Sequence, residues 1–409
     1  MASLTAAALR LVPGPICCCS IPRRSVSLRR AGSMICLAAA CARCAIRSAC
    51  TVFLSMAFEC STARTTPASA QVRGRCSTAF CRPARLQWRA RPSKGGVAMP
   101  VDPQIQALLD KGTGVPATHT LPVDVARAQY EARIALMAPP ADIAAVCEQT
   151  IEGPGGPLRL RIYTPHGTSP FPLLVFFHGS GFVLCSLDTH DGMCRNLFAG
   201  AGCVVASVDY RLAPEHKFPA GIDDCLHATR WAAVHALELG ADPTRIAVGG
   251  DSAGGNMAAV IAIRVRDEGG PGLCGQLLLY PVTDYHTPGT PSYEENAEGY
   301  GLTRDTMEWF WGHYLRDPSE AAHPHASPLR AADLSGLPPA LIITSQYDPL
   351  RDEGELYAER LKDVGVMVSV SRYEGANHGF MFWVGLVDKA GEAMEESCKW
   401  LRGVFAGSG

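Results

Sequence analysis

The sequence predicts an α/β fold: a mostly parallel, eight-stranded sheet with helices on both faces and a helical cap. Three observations carry this. Short continuous apolar runs such as "LLVFFHG" (Leu173–Gly179) and "VVASVDY" (Val204–Tyr210) mark strands buried on both faces. Such runs alternate with helix-length stretches, as a sheet wound on both sides requires. One interval, the 54 residues 286–339, is too long for a loop and so adds a cap.

The first 98 residues stand outside this pattern. Before Met99 there are 15 Lys and Arg against the single acid Glu59, leaving 22 basic and 38 acidic residues from Met99 onward. The formal net charge of −2 for all 409 residues therefore hides two chemically different polymers. Ten of the 17 cysteines also fall in the leading segment, which shows no helical or strand period over a domain-sized length. Its apolar runs, Ala31–Ala42 and Ser48–Phe58, are 12 and 11 residues long, short of the roughly 20 that span a bilayer. Three readings stand open: upstream sequence ahead of an ordinary start at "MPVDPQIQALLDKG", an Arg- and Ser-rich organellar transit peptide, or a basic nucleic-acid arm. The arm lacks aromatic interleaving, and no nucleic acid is expected as a partner. In every case the segment is expected to be disordered and outside the chemistry. Cys41-Ala-Arg-Cys44 has metal-like spacing, but no second pair follows it, and no metal site is expected.

From Met99 the elements read in order. Val123, Ala126, Tyr130, Ile134 and Met137 recur at spacings of three and four, predicting one helix that Pro139-Pro140 ends. "CEQTIEGPGGPLRLRIYTP" reads as an antiparallel hairpin about Gly-Pro-Gly-Gly. After the two apolar strands comes a helix from Pro219 to about Leu239, then the strand "RIAVGGD" and a helix over Ala253–Asp267. "GQLLLYPV", "ALIITSQYD" and "MVSVSRYE" complete the strands, with helices at about Arg351–Val364 and Val387–Val404. "RDTMEWFWGHYL" places a helix inside the cap. The seven cysteines from Cys147 to Cys398 are scattered and read as reduced, mostly packed thiols.

Within "RIAVGGDSAGGN" the letters Gly-Asp-Ser-Ala-Gly-Gly fit two hydrolase designs, a strand–turn–helix nucleophile elbow and a trypsin-like peptidase motif. Asp251, the letter shared with the second, misleads. Ser252 follows a strand and opens a helix, as the elbow requires, and the glycines at 250 and 254 relieve collisions in the sharp turn. A serine needs a base, and the base needs an orienting carboxylate. Asp348 lies just past the end of "ALIITSQY", and His378 lies in the loop after the next strand. The order Ser, Asp, His belongs to the elbow design; the peptidase order is His, Asp, Ser on an all-β fold.

The competing residues have quieter explanations. Asp352 and Glu353 fall in a first helical turn, where acids suit the dipole. His178 belongs to a Gly-rich turn, and His190 and His216 precede the nucleophile. Asp209 and Glu215 are expected to hold loops together. The turn "FFHGSGF" supplies Gly179, Ser180 and Gly181, which with Ala253 form the candidate oxyanion hole, the N–H groups of Ser180, Gly181 and Ala253 being the donors. Trp309, Phe310, Trp311, Phe380, Phe382 and Trp383 are divided between acyl-pocket lining and plain packing.

His178-Gly179-Ser180-Gly181, "DYRLAPEHKFPA", "GDSAGG", "YDPLRDEG" and "HGF" together resemble the hormone-sensitive lipase family of α/β hydrolases, nearest its bacterial-type carboxylesterases with a GDSAG nucleophile motif. The resemblance runs from about Met99 to Val404. It implies an α/β-hydrolase catalytic domain over 99–409, capped by about 99–140 and 286–325. It further implies hydrolysis of short- to medium-chain acyl esters through an acyl-enzyme, with an ester and water as partners and no metal or cofactor. Amidase or arylacetamide-type deacetylase chemistry, long-chain lipase chemistry and a non-catalytic binding protein are the rival readings; His378, which the last would lack, argues against it. No membrane span is expected, a homodimer is admitted, and the compartment is cytoplasmic unless the leading segment is a transit peptide. One departure stands out. The family has HGGG where this chain has Ser180; either a positive φ there strains the serine by about 1 kcal/mol, or the serine adds a hydroxyl beside the oxyanion.

Overall fold

The computed structural model describes residues 99–138 and 145–407. The leading segment, with Cys41 and Cys44, and the Pro139-Pro140 stop lie outside the described residues.

Eight strands form one sheet: β1 (Ala145–Gly153), β2 (Gly156–Thr164), β3 (Phe171–Phe177), β4 (Val204–Val208), β5 (Ala241–Asp251), β6 (Leu273–Leu279), β7 (Ala340–Tyr347) and β8 (Val368–Asn377). Their spatial order is β1-β2-β4-β3-β5-β6-β7-β8. β1 and β2 pair antiparallel about the Pro154-Gly155 turn, β2 meets β4 antiparallel, and all remaining pairs are parallel. The chain leaves β3 toward β4 on one side and returns to β5 on the other. That reversal opens a crevice at the carboxyl ends of β3 and β5, where ligands bind in open α/β sheets.

Helices cover both faces. Leu173, Val175 and Phe177 of β3 pack with α4 (Ala220–Val234) and α5 (Ala253–Glu268), in a layer that also holds α8 (Arg351–Asp363). The intervening Leu174 and Phe176 point to α3 (Asp191–Ala201) and α9 (Asp388–Phe405). These five β3 side chains, Leu173 to Phe177, are fully buried, and each contributes about 1.5–3 kcal/mol on leaving water. The remaining helices are α1 (Pro103–Lys111), α2 (Val123–Glu131), α6 (Pro291–Glu295) and α7 (Arg304–Tyr314).

Two expectations need correction. The stripe from Val123 to Met137 is not one helix: α2 stops at Glu131 and a 3₁₀ segment follows over Ala132–Leu136. Ala126 is the one buried residue in α2, and Ile134 and Leu136 are 38% and 64% exposed. Ala126, Val123 and Tyr130 pack on the core, and polar contacts add to their hold on α2. Arg127 makes a bidentate pair with Glu215 and donates to the carbonyls of Val183 and Ala213, and Glu131 accepts from the Ser186 hydroxyl. Helix α3 is the second correction, since it falls where the apolar runs alone mark no element. Its buried Met193, Cys194, Leu197, Phe198 and Ala201 keep a helical period, but Gly192 and Gly200 obscure it.

The segment 118–131 and the insertion over 286–325 touch: the His119 ring lies 3.2 Å from the Thr306 hydroxyl, at the start of α7. From below, Phe182 stacks on Tyr314 at 3.9 Å, and Lys217 donates to the Leu315 carbonyl. All seven cysteines of the described residues are free thiols, five of them buried.

Glycine placement generates a stability prediction. A Cβ on Gly254 would collide with the Phe177 and His178 carbonyls, whereas one on Gly391, inside α9, would meet nothing within 4 Å. Gly254→Ala is therefore expected to cost at least about 3 kcal/mol by forcing backbone apart. Gly391→Ala should stabilise by about 1 kcal/mol through helix propensity. Thermal melts of the two variants, moving in opposite directions from the parent, check this.

Candidate active site

Strand β5 ends at Asp251, and the chain turns at once into α5, leaving Ser252 as the residue between. Its backbone sits at φ 54°, ψ −116°, a strained position for a serine. Hydrogen bonds on both sides enforce it. The Ser252 N–H donates to Leu279 O at 2.8 Å, and its carbonyl accepts from Val282 N at 3.1 Å. The side chain is 6% exposed, and the α5 N-terminus directs free N–H groups toward it.

The structure brings Ser252, His378 and Asp348 together. His378 immediately follows β8, and its Nε2 lies 3.0 Å from Ser252 Oγ. Its Nδ1 lies 2.8 Å from Asp348 Oδ2. Asp348 immediately follows β7 and is fully buried, and its other oxygen accepts from Leu350 N at 2.8 Å. A carboxylate can only accept, so the imidazole proton belongs on Nδ1 and the lone pair of Nε2 faces the serine hydroxyl. Tyr280 presents its ring edge-on to His378 at 5.0 Å. The arrangement can deprotonate Ser252 as it attacks a carbonyl carbon.

The turn after β3 lies across from Ser252. Its Gly179 N–H donates to Asp251 Oδ1 at 2.9 Å and approaches His190 Nε2 at 3.3 Å. Gly179 therefore does not offer its N–H to a substrate, and of the four loop and elbow residues expected there, Ser180, Gly181 and Ala253 keep theirs. A Cβ on Gly179 would overlap the Asp251 carboxylate, and one on Gly181 would overlap the Phe310 ring. Ser180 does take a positive φ, 81°, so the strain expected from the sequence is present. Its hydroxyl accepts from the Cys185 thiol at 2.8 Å.

Asp251 is the functional residue the sequence reading discards. It is 1% exposed and stands 3.2 Å from the buried His190 ring, whose Nδ1 meets Thr189 Oγ1 at 2.9 Å. Its position beside Ser252 and its bond to Gly179 tie the two halves of the site together. A signal existed in the sequence: an acid with no solvent-facing neighbours at the end of an apolar strand needs a buried partner.

The other singled-out residues fall as follows. His178 is fully buried, stacks on Tyr210 at 4.3 Å, and has its carbonyl held by the Tyr210 hydroxyl at 2.7 Å. Burial, reinforced by His190, pulls its pKa down to about 3, so it stays neutral and structural. Asp209 pairs with Arg159 and Glu215 with Arg127, and the His216 N–H closes a turn onto Leu212 O. Asp352 accepts from Ser292 N, and Glu353 from Thr283 N and Asp284 N. Neither of the two meets His378. Burial pushes the Glu353 carboxyl well above its ordinary range. Among the aromatics, Phe310, Trp311 and Phe380 are packed, whereas Trp309, Phe382 and Trp383 are half-buried. Phe382 stands edge-on to His190 at 4.8 Å.

No helix among the described residues is long and apolar enough to cross a membrane, and none of their His, Cys, Asp and Glu residues group as three or more potential metal ligands.

Comparison with known proteins places this geometry. A family model described as the α/β-hydrolase fold matches residues 174–382. Among curated relatives, esterase LipI of Mycobacterium tuberculosis is 46% identical over 271 residues, 64% of this chain and 83% of that protein. Carboxylesterase NlhH of the same species is 44% identical over 307 residues, 73% of this chain and 94% of that one. A solved structure, a hyperthermophilic esterase from the archaeon Pyrobaculum calidifontis, superposes with a TM-score of 0.72 at 44% identity, covering 74% of this chain and 98% of its own. The chain belongs to the α/β-hydrolase fold family, in its hormone-sensitive lipase and carboxylesterase type.

Proposed function

We propose that this protein is a serine carboxylesterase that hydrolyses short- to medium-chain acyl esters through an acyl-enzyme. The observation that carries the mechanism is the continuous relay from Ser252 Oγ through His378 to Asp348, with links of 3.0 and 2.8 Å. Esterase names among relatives at 44–46% identity support the reaction class.

Ser252 Oγ attacks the ester carbonyl while its proton passes to His378 Nε2. Asp348 stabilises the imidazolium that forms and keeps its ring in place. The carbonyl oxygen, now anionic, receives the N–H groups of Ser180, Gly181 and Ala253, each such donor being worth about 3 kcal/mol in the transition state. His378 returns the proton to the leaving alkoxide, releasing the alcohol and leaving an ester on Ser252. Water, deprotonated by His378, then repeats the sequence and frees the acid. Asp251 acts as a positioning residue. By fixing Gly179 it sets the height of the next two N–H groups relative to Ser252.

Ser252→Ala is expected to lower kcat on p-nitrophenyl butyrate by at least about 10⁴-fold, and Asp348→Asn by about as much. Near-parent turnover by Ser252→Ala overturns the mechanism. A series of aryl esters of increasing acyl length, with a matched anilide, tests the substrate class. The reading expects the highest kcat/KM at short to medium chains and negligible anilide cleavage. A maximum at long chains would make the protein a lipase, and efficient anilide cleavage an amidase.

Asp251→Ala removes the acceptor of a buried N–H, at about 1–3 kcal/mol of stability. Its kcat is expected to fall by roughly ten- to a hundredfold with KM changed far less, because the donors it positions act in the transition state. Asp251→Asn, whose amide oxygen can still accept from Gly179, should recover most of that loss. Steady-state kinetics of the pair, set beside their melting curves, separates positioning from mere destabilisation.

A further inference from the structure

The turn after β3 carries three side chains that its backbone disfavours, those of Ser180, Phe182 and Cys185, and the first and last of them face each other. Ser180 and Cys185 sit at φ 81° and 70°, in the left-handed region where a glycine would be unstrained. The Cys185 thiol donates to Ser180 Oγ at 2.8 Å. Burial pushes that thiol up to about 12, so the sulfur keeps at neutral pH the hydrogen it gives in that contact. A serine hydroxyl has two lone pairs and one hydrogen. With the thiol occupying a lone pair, the Ser180 hydrogen is left to give, and no other residue among those described accepts it.

Exposure shows where it can be given. Every residue from Leu173 to Cys185 is buried except Ser180, which is half-buried. Its neighbours are pinned on either side: Gly179 hangs on Asp251, beside Ser252, and Gly181 lies under Phe310. Ser180 is thus the partly exposed point of a turn fixed beside Ser252 on one side and under Phe310 of α7 on the other.

We propose that the Ser180 hydroxyl is a catalytic side-chain donor to the developing oxyanion, added to the backbone N–H groups, and that Cys185 is the residue that positions it. The inference rests on the proposed role of Ser252. It assigns the two strained side chains a purpose that a glycine in either place could not serve, since strain retained at a site points to a use for the group that causes it.

The test compares Ser180→Gly, Ser180→Ala and Cys185→Ala with the parent, reading kcat and KM on p-nitrophenyl butyrate, affinity for an aryl trifluoromethyl ketone that adds to Ser252, and melting temperature. Ser180→Gly is expected to melt higher than the parent, because the strain is relieved. Its kcat should nevertheless fall roughly tenfold or more, with KM within about threefold. Affinity for the ketone should fall by the same factor as kcat/KM, since the adduct carries the oxyanion. Ser180→Ala should lose as much kcat without the gain in melting temperature. Cys185→Ala should lower kcat severalfold in the parent and not at all beside Ser180→Gly. Parent-like kcat in both Ser180 variants overturns the donor role, as does a loss confined to KM. An equal Cys185→Ala loss in both backgrounds overturns the positioning role. Ser252→Ala serves as the reference: if it stays active, the esterase mechanism itself falls. If it is inactive while the Ser180 variants match the parent, only this inference falls.

Discussion

A Cβ on Gly254 would have to occupy the place of the Phe177 and His178 carbonyls, and one on Gly250 would press on Phe177 O and on Gly254 itself. These contacts bring the end of β3 against the start of α5 more closely than any larger residue permits. Ser252 lies within that seam and the Gly179–Gly181 turn lies across it, so the proposed nucleophile and the proposed row of N–H donors come from strands adjacent only in space. The constraint is steric and local, yet it depends on the strand order: β5 meets β3 only because the chain reverses direction in the sheet after β4. Asp251 then fastens the seam electrostatically. Its bond to Gly179 crosses from β5 to the β3 turn in a buried, low-dielectric interior, which raises both its strength and the cost of losing it.

The buried Asp251 and His190 pair is a costly device by ordinary reckoning. An ion or strong dipole removed from water regains its solvation only through well-placed partners. Here the partners are the Gly179 N–H, shared between the carboxylate and the ring, and a threonine hydroxyl on the far side of the imidazole. A hydrophobic pair of similar volume could fill the space, but it could not accept from Gly179. That N–H would then either stay unsatisfied or swing toward the substrate and shift the whole turn. The arrangement makes sense as a means of fixing geometry and not as a source of stability.

How far the sequence discloses this depends on whether a feature is local. The order Ser252, Asp348, His378 and their places after three strands can be read directly, because parallel topology puts strand carboxyl ends at one edge of the sheet. The hairpin of β1 and β2 is equally plain, its turn residues lying between two alternating runs. The helical stripe after Val123 misleads for a physical reason. Periodicity shows that one face is apolar, not how far one helix carries it: Val123, Ala126 and Tyr130 pack on the core, whereas Ile134, in the 3₁₀ segment, is 38% exposed. For Asp251 the sequence signals a need for a buried partner but not which residue meets it. That partner, Gly179, is 72 positions away in the turn after a neighbouring strand, beyond the reach of any local motif. Cys185 shares that fate at short range, since only the folded turn brings its sulfur onto Ser180.

Strain shows why so much burial surrounds so small a site. Among the described residues, the non-glycine residues at positive φ are Ser180, Phe182, Cys185, Ser252 and Tyr280. All five follow the carboxyl ends of β3, β5 or β6. At about 1–3 kcal/mol each, their combined cost approaches the whole net stability of a typical domain. Such a set persists only where the surroundings leave no alternative, and the neighbouring strands supply that. Leu173 through Phe177, Ile246 through Val248 and Leu277 through Leu279 have no measurable exposure. Tyr280 is held by its N–H to Ile343 O at 2.6 Å, and Ser252 by bonds on both sides. Relaxing any one strained residue would mean moving a strand that is packed on both faces, at a greater cost than the strain itself. The sheet thus acts as a clamp whose stiffness is set by its core. The residues it distorts include the proposed nucleophile, the proposed loop of donors and the ring that meets His378, which is where distortion can be converted into fixed geometry before a substrate arrives.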